Sequence, residues 1–112
     1  MGANIEDTLM IHKNEMVYYD TAENKHYRLN SGNIVKITFD YMEVKKFFGL
    51  KKVVMEFIKF DVKDDEIPTS EIIIREDEEP SFHRYLGGIR SFVDDNKIDL
   101  EIKRYKAPDP KK

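Results

Sequence analysis

The chain reads as an α+β domain: a mainly antiparallel sheet of about six or seven strands, with one amphipathic helix near the C-terminus covering one face or end of it. Three observations predict it. Short β-branched and aromatic runs separated by turn residues fill residues 15–75. Apolar residues at helical spacing occur in one stretch, after Glu79. The 112 residues, 40% hydrophobic and 37% charged, suit a single core that removes roughly two-thirds of the unfolded surface from water.

The first two strands are expected over residues 15–19 and 25–29, which carry Val17, Tyr18, Tyr19 and Tyr27 around the polar hairpin loop at residues 20–24. Asn30-Ser31-Gly32-Asn33 is the next turn, because Gly and Asn tolerate positive φ. It leads into a β-branched strand at 34–39. Two apolar runs follow, 41–48 and 50–62, and Gly49 between them predicts a hairpin turning near Phe48-Gly49-Leu50; a helix over 42–48 is the alternative. In 53–60 both alternating faces are partly apolar, as in a central strand. Asp64, Asp65, Glu66 and Pro68 break the pattern, and Ile72, Ile73 and Ile74 resume it in a strand over 70–75.

Phe82, Tyr85, Leu86, Ile89, Phe92 and Val93 fall within about a 120° arc at 100° per residue, predicting a helix over 80–95. Asp77, Glu78 and Glu79 suit the positive end of its dipole, Pro80 is tolerated in a first turn, and Asp95-Asn96 mark the stop. Gly87 and Gly88 inside it each cost about 1 kcal/mol relative to Ala. Close packing of helix on sheet offsets that cost, or a groove for a ligand or partner does. Ile98, Leu100 and Ile102 alternate with charged residues in a final half-buried strand over 97–103, which pairs within the chain or with a second copy. One domain over 1–106 is expected, with residues 1–8 frayed and 107–112 a flexible basic tail.

Composition narrows the function classes. The absence of Cys excludes disulfides, Cys-ligated zinc and thiol catalysis. No apolar run approaches the roughly 18 residues of a membrane span and no signal-like segment opens the chain, so a cytoplasmic protein is expected. A net charge of −3 argues against general nucleic-acid binding, which depends on Lys and Arg contacts to phosphates. Charge is nevertheless polarised: residues 36–59 carry Lys36, Lys45, Lys46, Lys51, Lys52 and Lys59, while 61–79 is strongly acidic, and the two solvated stretches are expected to meet across the surface.

No phosphate-binding glycine loop and no calcium loop occurs, so no cofactor is expected. His12, His26 and His83 form no spaced pair, and a metal site needs distant residues to converge; none is expected. His83, near Arg84 and Arg90, reads as a solvated helix residue. A general acid or base at His83, with Ser81 or Ser91, is the enzymatic alternative. The conspicuous local feature is Lys45-Lys46-Phe47-Phe48-Gly49-Leu50-Lys51-Lys52. At a hairpin tip, its apolar residues would enter a lipid headgroup layer while the lysines feel the anionic surface. Otherwise Phe47, Phe48 and Leu50 fold inward and the lysines protect a strand edge from pairing.

Short antiparallel strands, a basic hairpin at 45–52, and a strand at 70–75 running into the helix at 80–95 give a layout that resembles a small bacterial pleckstrin-homology-like domain. The resemblance implies a bent sheet or small barrel, and a non-enzymatic module that binds proteins, peptides or acidic lipid headgroups. The strand after the helix departs from that layout, as does the absence of Trp. From the residues themselves, the expectation is a non-catalytic binding or regulatory domain. Its partner is a protein, a peptide or another copy of the chain, because Tyr18, Tyr19, Tyr27, Tyr41 and Tyr105 exceed what one small core hides. Anionic membrane binding through residues 45–52 is the alternative, and a small histidine enzyme is the third reading.

Overall fold

The structure, a computed structural model, describes residues 8–103. Of the stretch 1–8 expected to fray, residues 1–7 lie outside them, as do the tail at 107–112 and Tyr105, whereas Thr8 is held by its carbonyl accepting from Tyr19 N–H. The chain forms β1 (Leu9–Ile11), β2 (Met16–Asp20), β3 (Lys25–Leu29), β4 (Ile34–Lys46), β5 (Lys51–Val62), β6 (Glu71–Arg75), a 3₁₀ turn (Glu76–Glu78), α1 (Phe82–Asn96) and β7 (Leu100–Ile102). The α+β class holds, but the strands lie in two open sheets instead of a barrel: a three-stranded meander β1-β2-β3 and a mixed four-stranded sheet β6-β5-β4-β7.

The two sheets part at the corner between β3 and β4. Asn30 O accepts from the backbone N–H of both Asn33 and Ile34, turning the chain away before β3 pairs with β4. Asn33, 8% exposed, anchors the turn: its Oδ1 accepts from Asn30 N–H, and its amide donates to Arg28 O and to Asp64 Oδ2. A buried amide is tolerated because each of its groups is partnered. That bond and the Glu66 N–H hold the Asp64 carboxyl below the usual carboxylate range.

β4 and β5 are the long central pair, and the core lies on one face of their inner half. Ile37, Phe39, Ile58, Phe60, Ile72 and Ile74 form one cluster with Phe82, Tyr85, Ile89, Phe92 and Val93 of α1 and with Leu9, Met16 and Leu29 of the meander. The expected strand at 34–39 and the run at 41–48 join in one strand, and no helix forms over 42–48: β4 runs unbroken, each residue from Lys36 onward facing one of β5.

The helix begins at Phe82, with Ser81 before it, so Pro80 precedes the first turn instead of occupying it. The acids expected at the dipole are used elsewhere. Glu76–Glu78 form the 3₁₀ turn, Asp77 pairs with Arg75 at 2.7 Å, and Glu79 accepts from the Tyr85 hydroxyl. At the other end Lys97 takes the left-handed conformation (φ 56°) and the chain reverses into β7. β7 pairs within the chain, parallel to β4, and Lys36 forms an ion pair with Glu101 across that junction. A crossover helix permits this, since β6 and β7 then run the same way. β1 was not expected; its three residues are too few to show a period.

Candidate functional site

β6 pairs with β5 only from Phe57 to Asp61, and β7 with β4 only from Ile37 to Phe39. From Tyr41↔Glu56 to Lys46↔Lys51, six cross-strand pairs continue with no third strand, a ribbon about 20 Å long at 3.3 Å per residue. Its root is flanked by Arg75, whose Nη2 lies 3.9 Å from Met55 Sδ, and by Glu76, whose carboxylate accepts from Glu56 N–H. Its inner part is hydrophobic, with Met42 opposite Met55 and Val44 opposite Val53.

The tip is where local preferences are broken. Leu50 N–H donates to Phe47 O, closing a turn over residues 47–50. Phe47, Phe48 and Gly49 all have positive φ, at 56°, 59° and 86°. Gly49 meets the requirement without cost, whereas Asn is the residue a hairpin prefers where Phe48 stands. An L-residue in the left-handed region costs about 1–2 kcal/mol, and two phenylalanines bear it here. Their rings gain little packing in return: Phe47 is 67% exposed and Phe48 105%, and the neighbouring Leu50 is 87% exposed. The inward-folding alternative for these three residues is therefore not what forms.

The flanking lysines add a second unfavourable arrangement. Lys45 stands opposite Lys52 and Lys46 opposite Lys51, and like charges directly across a strand pair destabilise it. All four are exposed. Among the described residues Lys36, Lys59, Lys103, Arg28 and Arg75 are among the cations that form ion pairs, whereas none of these four lysines does. Lys46 only feels Asp77 at a distance. The acidic residues Asp64, Asp65 and Glu66 follow the opposite end of β5, about 36 Å away along an 11-residue rise. The basic and acidic stretches thus meet through Lys59, which lies 4.0 Å from Asp61 and 3.8 Å from Glu71, while their most concentrated parts sit at opposite ends.

The other predicted positions are separate from this tip. Gly87 faces open space. At Gly88 an added Cβ would lie 2.7 Å from Ile11 Cδ1, so its small size admits β1 onto the helix; the open hollow beside it is lined by Leu9, Ile11, His12, Arg84 and Tyr85. His26 stacks on Tyr19 with ring centroids 4.6 Å apart, and His12 is exposed. His83 Nε2 lies 3.0 Å from Glu76 Oε2, and Ser81 Oγ accepts from Arg84. Tyr18 and Tyr27 pack against the core and Tyr41 is half-buried, so the tyrosines make no exposed cluster of their own. Burial raises the Tyr18 pKa, and the nearby Asp20 adds to it. No helix among the described residues is long and apolar enough to cross a membrane.

An apolar, strained and basic tip on a projecting ribbon, its lysines without an ion pair among the described residues, is the feature that the fold itself does not require. No protein-family model matches the chain, and comparison with curated proteins and with solved structures finds no significant match.

Proposed function

We propose that this chain is a non-catalytic binding domain that docks on anionic lipid surfaces by inserting the β4–β5 tip end-on. The observation that carries the reading is Phe48, fully exposed in a left-handed backbone conformation between four exposed lysines that form no ion pair among the described residues. Residues that break local rules without a structural return mark functional positions. Lysines near an anionic surface contribute about 1 kcal/mol each, and apolar side chains at the headgroup boundary supply the second of the two signals that firm attachment needs.

The register indicates the mode of approach. In a strand pair, directly opposed residues share a face, so Lys45 with Lys52 and Lys46 with Lys51 place one pair on each face at adjacent heights. Such a tip meets a charged plane end-on and has no single face for a folded protein. It also lacks a convergent cage that would select one headgroup, which supports diffuse attraction to anionic lipid. A protein partner, the other reading, would be expected to contact one face of the ribbon.

Because the chain has no Cys, Phe48→Cys and Glu66→Cys each offer one labelling site, at the tip and at the opposite end. An environment-sensitive fluorophore at position 48 is expected to shift to the blue with phosphatidylserine-containing vesicles and stay unshifted with neutral ones, while position 66 reports no change. Equal responses at both positions, or none at 48, would count against docking through the tip.

A further inference from the structure

We infer that Glu56, Glu76 and His83 form a site for Zn²⁺ or a similar transition-metal ion at the root of the ribbon. These residues stand far apart in sequence, on β5, in the 3₁₀ turn and in the first turn of α1, yet one ligand atom from each lies within 4.8 Å of the others. His83 Nε2 and Glu76 Oε2 are 3.0 Å apart. Two ligands on one tetrahedral zinc, each bonded at about 2.0 Å, lie about 3.3 Å apart, so this pair needs only a slight opening to share an ion.

The carboxylate is already oriented for the task. Glu76 Oε1 accepts the backbone N–H of Glu56 at 3.1 Å, which fixes the group and leaves Oε2 toward His83. Metal-binding carboxylates are held in this way by a hydrogen bond to the other oxygen. Glu56 brings its own carboxylate on the same residue that supplies that N–H. An imidazole with two carboxylates favours zinc or its neighbours over magnesium and calcium, which take oxygen ligands throughout. Three protein ligands leave a fourth position for water. Because the ligands come from β5, the 3₁₀ turn and α1, a bound ion ties the root of the ribbon to the helix. The site uses none of the tip residues, and it stands or falls independently of the lipid reading.

Zinc titration of the untagged full chain by calorimetry and by thermal melting tests this, with Co²⁺ as a spectroscopic substitute. One ion per chain and a higher melting temperature are expected. Affinity should fall at least about tenfold in His83→Ala and in Glu56→Gln, and stay unchanged in His12→Ala and His26→Ala. Co²⁺ should give visible absorption bands in the wild type that His83→Ala removes. Circular dichroism of the metal-free variants checks that they fold; if Glu56→Gln does not, the exposed His83 still provides the test. Zinc binding that survives His83→Ala overturns the assignment, as does no binding at millimolar zinc.

Discussion

Replacing Phe47 with Asn and Phe48 with Gly separates what the tip costs from what it does. Both native residues have positive φ, 56° and 59°, and each bears about 1–2 kcal/mol of backbone strain there. Asn and Gly reduce or remove that strain. Gly in turn frees the unfolded chain by roughly 0.5–1 kcal/mol, which opposes part of the gain. The rings are 67% and 105% exposed, so their loss removes little packing. The net expectation is a stability gain of about 0–2 kcal/mol, read as a higher urea midpoint at unchanged slope. Lipid binding should move the other way. Full burial of a Phe side chain is worth about 1.5–3 kcal/mol, so two rings that each bury half their surface contribute about 1.5–3 kcal/mol in all, or roughly 10- to 150-fold in partitioning. Urea denaturation followed by circular dichroism, with vesicle sedimentation alongside, measures both. A stability loss above about 1 kcal/mol would show that the rings pack against the chain. Binding within threefold of wild type would show that they do not contact the lipid.

Gly87→Ala should stabilise the domain by about 1 kcal/mol in the same urea assay, since the added methyl meets open space in a helix interior. Gly88→Ala should fall well short of that gain because its methyl strikes Ile11 Cδ1, and adding Ile11→Val, which removes that atom, should restore part of it. Lys97→Gly should raise stability by about 0.5–1 kcal/mol by relieving the left-handed helix cap at φ 56°. The Asp64 carboxyl is held below the ordinary carboxylate range by the amide of Asn33. Its contribution is complete above the unfolded-state pKa and is lost as the pH falls through the folded one. The stability difference between wild type and Asp64→Ala should therefore narrow on acidification, measured by urea midpoints from neutral pH downward. Asp77 beside Arg75 and Glu101 beside Lys36 carry the same sign.

The parts legible in the sequence were those with several residues of one period. The stripe from Phe82 to Val93 located α1, and the alternation with turn residues located β2 to β6. The helix start was misplaced because Pro80 and three acids fit a first turn and a preceding loop equally; the Arg75–Asp77 pair and the 3₁₀ turn claim those acids instead. Hydrophobicity could not reveal that Phe47, Phe48 and Leu50 are exposed, since the same residues suit a core. Their exposure follows from where β6 and β7 stop pairing, a long-range property. The direction of β7 depends likewise on the crossover through α1. The His83 cluster had no local signal, because its members are 20 and 7 residues apart in sequence.

Flotation of the wild-type chain with neutral and with phosphatidylserine-containing vesicles, at low and at physiological salt, is the most direct test of docking through the tip. Binding is expected to anionic vesicles alone and to weaken as salt screens the lysines, with the Debye length shrinking to about 8 Å at physiological ionic strength. Lys45→Gln, Lys46→Gln, Lys51→Gln and Lys52→Gln should each reduce it about fivefold, the equivalent of about 1 kcal/mol per lysine. Failure to float with anionic vesicles at low salt, or flotation with both lipids that ignores salt and these substitutions, would contradict the account.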